Sequence, residues 1–129
     1  MKNATTIISV LLIPADLTKP CSMVNIRKGD YALIDMYKHM DCDYVQRLET
    51  PKKNMILWVD EEGTLKQDPK TNVRGSILAG QQIFGNVILA GQDSLYGVDG
   101  VEFDTIKGMV KKLENMSQEV IVKHPQLNQ

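Results

Sequence analysis

The sequence predicts a single α+β domain, a mostly antiparallel sheet with one short helix and one longer C-terminal helix packed on it. Three observations carry this prediction. Short apolar runs rich in Ile, Val and Leu recur along the chain and end at turn-forming clusters. Helical periodicity is confined to a few stretches. Strands and helices do not alternate regularly as β-α-β units, as a parallel sheet would require. At 129 residues the chain fits one core. A domain of this size buries roughly two thirds of its unfolded surface, so it needs no metal or disulfide staple.

The elements follow in order. Thr5 to Ile13 reads as the first strand, closed by Pro14-Ala15-Asp16. Ser22 to Ile26 is the second, closed by Arg27-Lys28-Gly29-Asp30. Asp30 then suits a helix N-cap, where its carboxylate would accept from the free amides of the first turn. Leu33, Met36, Tyr37 and Met40 recur at helical spacing, which predicts a short amphipathic helix over Tyr31 to Met40. Tyr44 to Leu48 forms a strand before a turn at Pro51 and two lysines. Met55 to Val59 is apolar on both faces and belongs in a covered position of the sheet. Asp60-Glu61-Glu62-Gly63 turns the chain, with Gly63 able to take a positive φ. Val73 to Gly80 reads as one or two helical turns, and Gly85 to Ala90 as another strand. A loop then runs through Gly97 and Gly100. Asp104 suits the N-cap of the last helix, in which Ile106, Met109, Val110, Leu113 and Met116 form one apolar stripe. Val120 to Val122 either extends that helix or forms an edge strand.

Composition narrows the function. Apolar residues at 43% and charged residues at 24% are ordinary for a globular protein. Fifteen Lys and Arg against sixteen Asp and Glu leave a charge of −1. Nonspecific duplex binding draws its affinity from basic side chains on phosphates, so a nucleic-acid partner is not expected. Cys21 and Cys42 lack metal or redox spacing and read as two reduced thiols. Lys2 before the apolar run Ile7 to Ile13 loosely imitates a secretory signal, but Ser9 interrupts the run and no cleavage pattern directly follows it. No stretch approaches the ~20 apolar residues of a membrane span. The expected compartment is the cytoplasm. The sequons Asn3-Ala4-Thr5 and Asn115-Met116-Ser117 matter only in an exported protein.

The residues that carry chemistry are sparse. His39 and Cys42, flanked by Asp41 and Asp43, invite a metal reading, against which stands a solvated helix end. Asp60, Glu61 and Glu62 form the densest acidic run. Adjacent carboxylates suit a divalent cation or an acid–base pair, but successive side chains leaving a strand diverge, which favours a solvated turn. Gly75 and Gly80 are spaced as in a phosphate loop, yet Gln81 stands where that loop needs lysine. There is no Gly-x-Ser-x-Gly elbow, and two histidines leave little for a triad. We assign no catalytic residue, metal or cofactor, and expect no enzymatic activity. Trp58, inside an apolar strand, reads as core. Phe84 lies among polar neighbours, and with Asn72 and Arg74 it forms a candidate surface for stacking on, and hydrogen bonding to, a planar ligand or partner chain.

Several segments, taken in order, resemble the domain of unknown function 3846 family of small phage and plasmid proteins. They are Leu12-Ile13-Pro14-Ala15-Asp16 with Pro20, Gly29-Asp30-Tyr31, and Val59-Asp60-Glu61-Glu62-Gly63-Thr64-Leu65. Pro69, Asn72 and Arg74 resemble the family's Pro-x-Asn-Arg-like loop, with two residues here between Pro69 and Asn72. Gly85-Asn86-Val87-Ile88-Leu89-Ala90-Gly91 resembles its final strand, where an acidic residue is more usual at Asn86. The family's Gly-Gly-Tyr-Ile after Tyr31 is missing, and the last helix is longer than the resemblance implies.

The resemblance implies a setting, a mobile element, more than a mechanism. Together with the absence of catalytic motifs it leads us to expect a non-enzymatic binding protein. Its expected role is host takeover or counter-defence, by sequestering a host protein or a nucleotide signal. The expected binding residues are Asp60, Glu61, Glu62, Asn72, Arg74, Phe84 and Asn86. A small metal-dependent enzyme acting on nucleotides or nucleic acid is one alternative, and a DNA-associated regulator another. A small sheet with open edges also leads us to expect a homo-oligomer, with a homodimer as the simplest form.

Overall fold

The computed structural model describes residues 6–52, 54–91 and 98–124. The first sequon, the loop position Gly97 and the polar end beyond His124 lie outside the described residues. The elements are β1 (Ile7–Ile13), β2 (Ser22–Arg27), α1 (Ala32–Met40), β3 (Val45–Glu49) and β4 (Met55–Asp60). After a 3-10 turn (Gly63–Leu65) come α2 (Val73–Ala79), β5 (Val87–Gly91) and α3 (Phe103–Lys123). The five strands form one sheet in the order β2-β1-β5-β4-β3, and each of its ladders is antiparallel. This is the α+β architecture expected from the sequence, with α3 as the long C-terminal helix.

Side-chain alternation divides the sheet into two apolar faces, both covered. On one face Ile8, Val10, Ile26, Ile56, Trp58, Ile88 and Ala90 pack with Ala32, Met36 and Met40 of α1. On the other, Leu11, Ile13, Leu57, Val59, Val87 and Leu89 pack with Ile83 and with Ile106 of α3. Leu78 and Ala79 of α2 close that second layer. Each Leu, Ile or Val taken fully out of water stabilises the fold by about 1.5–3 kcal/mol. β5 is the middle strand, and all five of its residues are buried. That explains its unbroken apolar sequence: no position faces water. Trp58 lies in the first layer, as its neighbours in sequence suggest, and its indole N–H finds no hydrogen-bond partner among the described residues.

Two helix starts differ from the sequence expectation, and one open choice at a helix end is decided. The N-cap of α1 is Tyr31, not Asp30, and it makes no side-chain capping bond. The turn at Gly29, whose φ is +94°, already gives the Ala32 amide an acceptor in Gly29 O at 3.0 Å. The N-cap of α3 is Glu102, two residues before Asp104, because the Thr105 and Ile106 amides both donate to the Glu102 carbonyl. Val120 to Val122 is helical, with α3 running on to Lys123.

Candidate functional site

The antiparallel topology brings the C-terminal ends of β1 and β4 and the N-terminal end of β5 to the same edge of the sheet. The C-terminus of α1 reaches that edge as well. A cleft of about 540 Å³ opens there, walled by residues 15–17, 40–41, 66 and 68–71 and floored by Asp60, Gly85 and Asn86. Ladder pairing between β1 and β5 stops at Ile13 and Val87, and beyond them the strands part.

Asn72 fills the parting. It is fully buried, and its Nδ2 donates to Ile13 O at 2.9 Å and to Gly85 O at 2.8 Å. Its Oδ1 accepts from the Gly75 amide at 2.8 Å, which makes Asn72 the N-cap of α2. One amide side chain therefore starts a helix and splices two strands. Gly75 sits close by: a Cβ there would lie 3.2 Å from both the Asn72 side chain and Val87, so those side chains would have to shift by a few tenths of an ångström.

Arg74 is also fully buried. Its guanidinium donates to Pro14 O and Lys19 O, each at 2.8 Å, to Asp16 O at 3.3 Å and to Glu114 of α3 at 2.8 Å. Nη2 meets all three carbonyls of the β1–β2 loop while Nη1 reaches Glu114, so the planar fork ties the loop to α3. Asn86 holds the same loop from the cleft side. Its Oδ1 accepts from the Ala15 amide at 3.0 Å, and its Nδ2 donates to Met40 O at 3.2 Å. The loop wall, the strand ends and the end of α1 are locked together by three side chains.

Asp60 ends β4 with a side chain only 3% exposed. One carboxylate oxygen accepts from the Glu62 amide at 2.9 Å, shaping the turn, and the other pairs with Lys66 Nζ at 2.8 Å. The Lys66 ammonium also reaches Asp41 O at 3.4 Å, beyond the end of α1, where a cation is favoured by the helix dipole. The hydrogen bond to Asp60 holds the Lys66 ammonium protonated above its ordinary range. Asp16, Asp41 and Asp68 add carboxylates to the cleft lining, and Lys70 adds a second ammonium. Bonds from the Thr18 hydroxyl and amide lower the pKa of Asp16. The lining thus holds four aspartates against two lysines and is net acidic.

The structure brings some of the residues singled out from sequence to the cleft and leaves others away from it. Asp60 and Asn86 line it. Asn72 and Arg74 lie behind its wall, with their polar groups engaged inside the protein apart from Arg74 Nε. Phe84 is half-buried, and its backbone carbonyl would lie 2.8 Å from a Cβ on Gly63, so the acidic turn packs directly against it. Glu61 is exposed and Glu62 half-buried, and neither lines the cleft. Among the described residues no three His, Cys, Asp or Glu side chains gather into a metal-holding group. His39 instead lies 3.2 Å from Asn25 O, and Cys42 packs against the core. Burial pushes the thiol of Cys42, and likewise that of Cys21, up to about 11. Sequence reasoning missed Lys66, and it grouped Asp41 with His39 and Cys42 rather than with Asp60. Nothing in the spacing links Lys66 or Asp41 to Asp60; a turn and a helix end bring them together in space.

The family model described as Domain of unknown function (DUF3846) matches residues 8–116. No curated protein matches the sequence. Among solved structures, the protein is similar to the small RNA methyltransferase HEN1, with a TM-score of 0.59 at 16% identity. That alignment covers 77% of this chain and 15% of the other, so the chain spans a small part of that enzyme. At this identity the likeness concerns the fold alone. No helix among the described residues is long and apolar enough to cross a membrane.

Proposed function

The chain belongs to the DUF3846 family, and on that premise we propose that it is a non-enzymatic binding protein of a phage or other mobile element. It acts in the host cytoplasm, in host takeover or counter-defence, by sequestering a host molecule in the cleft at the end of β1, β5 and β4. The observation that carries this reading is the preformed cleft itself. Asn72, Arg74 and Asn86 fix its wall through backbone groups, so little ordering entropy is lost when a ligand docks. The most buried carboxylate, Asp60, is committed to an amide and an ammonium. With both of its oxygens already engaged, Asp60 shapes the floor of the cleft, which supports a binding reading.

Of the two kinds of partner expected from sequence, the charge of the cleft favours a host protein over a nucleotide. A net acidic lining repels phosphate and attracts a basic side chain. The test is copurification of tagged protein with host lysate and nucleotide pools, read by mass spectrometry. The expected result is one host protein retained by the wild type and weakened about tenfold or more by Asp41→Lys or Asp68→Lys. Recovery of nothing at micromolar affinity would end the binding reading, and recovery of a nucleotide would overturn the choice of partner.

A further inference from the structure

The two outer strands of the sheet are treated unequally. In the β1–β2 ladder the Lys28 amide donates to Thr6 O at 2.8 Å. By antiparallel alternation, residues 24 and 26 likewise bond toward β1, while residues 23, 25 and 27 turn their backbone groups outward. Helix α1 closes that outer edge. Asp35 Oδ2 accepts from the Arg27 amide at 2.8 Å, and the His39 ring nitrogen lies 3.2 Å from Asn25 O.

Among the described residues, β3 has no such guard at Val45 or Glu49. The Glu61 amide donates to Tyr44 O and the Thr50 amide to Met55 O, which makes residues 44, 46, 48 and 50 the ones bonded toward β4. Val45, Arg47 and Glu49 therefore turn their N–H and C=O groups away from the sheet. Among the described residues nothing bonds to the outward backbone groups of Val45 or Glu49. An edge left in this state is a template for another strand.

We propose that β3 pairs with β3 of a second copy, antiparallel across a twofold axis, so that the two five-stranded sheets become one. The sequence of the strand selects both the occupant and the register. Centred on Leu48, the pairing sets Arg47 of each copy opposite Glu49 of the other, on the α1 face. A guanidinium carries five donors, so Arg47 can serve that carboxylate along with its other contacts. On the opposite face Leu48, which already packs against the second apolar layer, meets its own copy in a close non-hydrogen-bonded pair. Centring on Arg47 instead would set like charges against each other, and centring on Gln46 would set Val45 against Arg47. The charge pattern of β3 thus fits itself in one register.

Light scattering on the purified full chain tests this, with Glu49→Arg, the exchanged pair Arg47→Glu with Glu49→Arg, and Leu48→Cys in a Cys21→Ser, Cys42→Ser background. The expected results are a dimer for the wild type, association weakened at least tenfold toward monomer by Glu49→Arg, and recovery in the exchanged pair. Leu48→Cys is expected to form an intermolecular disulfide under mild oxidation. A monomer mass at millimolar protein overturns the proposal, as does a dimer in which position 48 does not cross-link. A cross-linked dimer indifferent to Glu49→Arg overturns the charge pairing.

Discussion

Asn72 shows how one side chain does work that a sequence reading assigns elsewhere. Its residue type and its place after Pro69 suggest a ligand contact, yet its oxygen caps α2 and its nitrogen serves two strand carbonyls. Removing it deletes the cap and leaves Ile13 O and Gly85 O without this donor. A cap is worth about 1 kcal/mol and each abandoned buried acceptor about 1–3 kcal/mol. We therefore expect Asn72→Ala to lower stability by about 3 kcal/mol, measured as a shift in the urea midpoint. Asn72→Asp keeps the cap acceptor but loses both donors. It should be destabilised to a similar degree, and a near-wild-type midpoint would refute the splice. Arg74 belongs beside it, since a fully buried guanidinium reaching three loop carbonyls is a structural clamp that sets the shape of the cleft wall.

At the scale of elements, the attachment of α1 to β2 rests on a bidentate pair. Arg27 Nε and Nη2 donate to the two oxygens of Asp35 at 3.0 and 2.7 Å, and the Arg27 amide adds a third bond. The guanidinium also lies 4.4 Å from the centre of the Tyr31 ring. These bonds hold the Asp35 carboxyl down at about 2, from an ordinary 3.8. A carboxyl depressed in the folded state adds stability that is fully present above its unfolded value and is lost as pH falls through its folded value. The loss from Asp35 therefore falls between pH 3.8 and about 2. Asp35→Asn should flatten the acid limb of stability in that window, with less effect on its slope above pH 5. Acid titration followed by circular dichroism checks this, and an unchanged limb would contradict it. The turns between elements are equally constrained: a Cβ on Gly63 would approach Phe84 O to 2.8 Å, so the acidic turn tolerates only glycine without movement.

For the whole molecule, the three layers meet on β5, which is bonded to β1 and β4 and covered on both faces. Toward its C-terminal end α3 loses that cover: Ser117 is its last buried residue, and Val122 is 78% exposed. Native-state hydrogen exchange should follow this gradient. The β5 amides are expected to exchange only through global unfolding, and those of the last turn of α3 orders of magnitude faster. Equal rates in the two segments would show that the layers do not share one cooperative core. The same architecture explains where a cleft can form. The apolar layers end with the strands, and the edge beyond them is filled by loops carrying polar groups.

Much of this protein is determined by its sequence alone. The strands, α1 and α3, the antiparallel class and the burial of Trp58 and β4 follow from local periodicity, because each element shows its buried face in the residues that compose it. Only the tertiary structure decided the site. Asp60 and Lys66 are separated by a turn, Asn72 and Ile13 by most of the sheet, and Arg74 and Glu114 by β5 and its flanking loops. Their partnerships depend on distances that antiparallel pairing creates and linear spacing does not record. The acidic turn divides for the same reason. Asp60 closes β4 on the face that points into the cleft, while Glu61 and Glu62 lie past the last ladder pair and turn elsewhere.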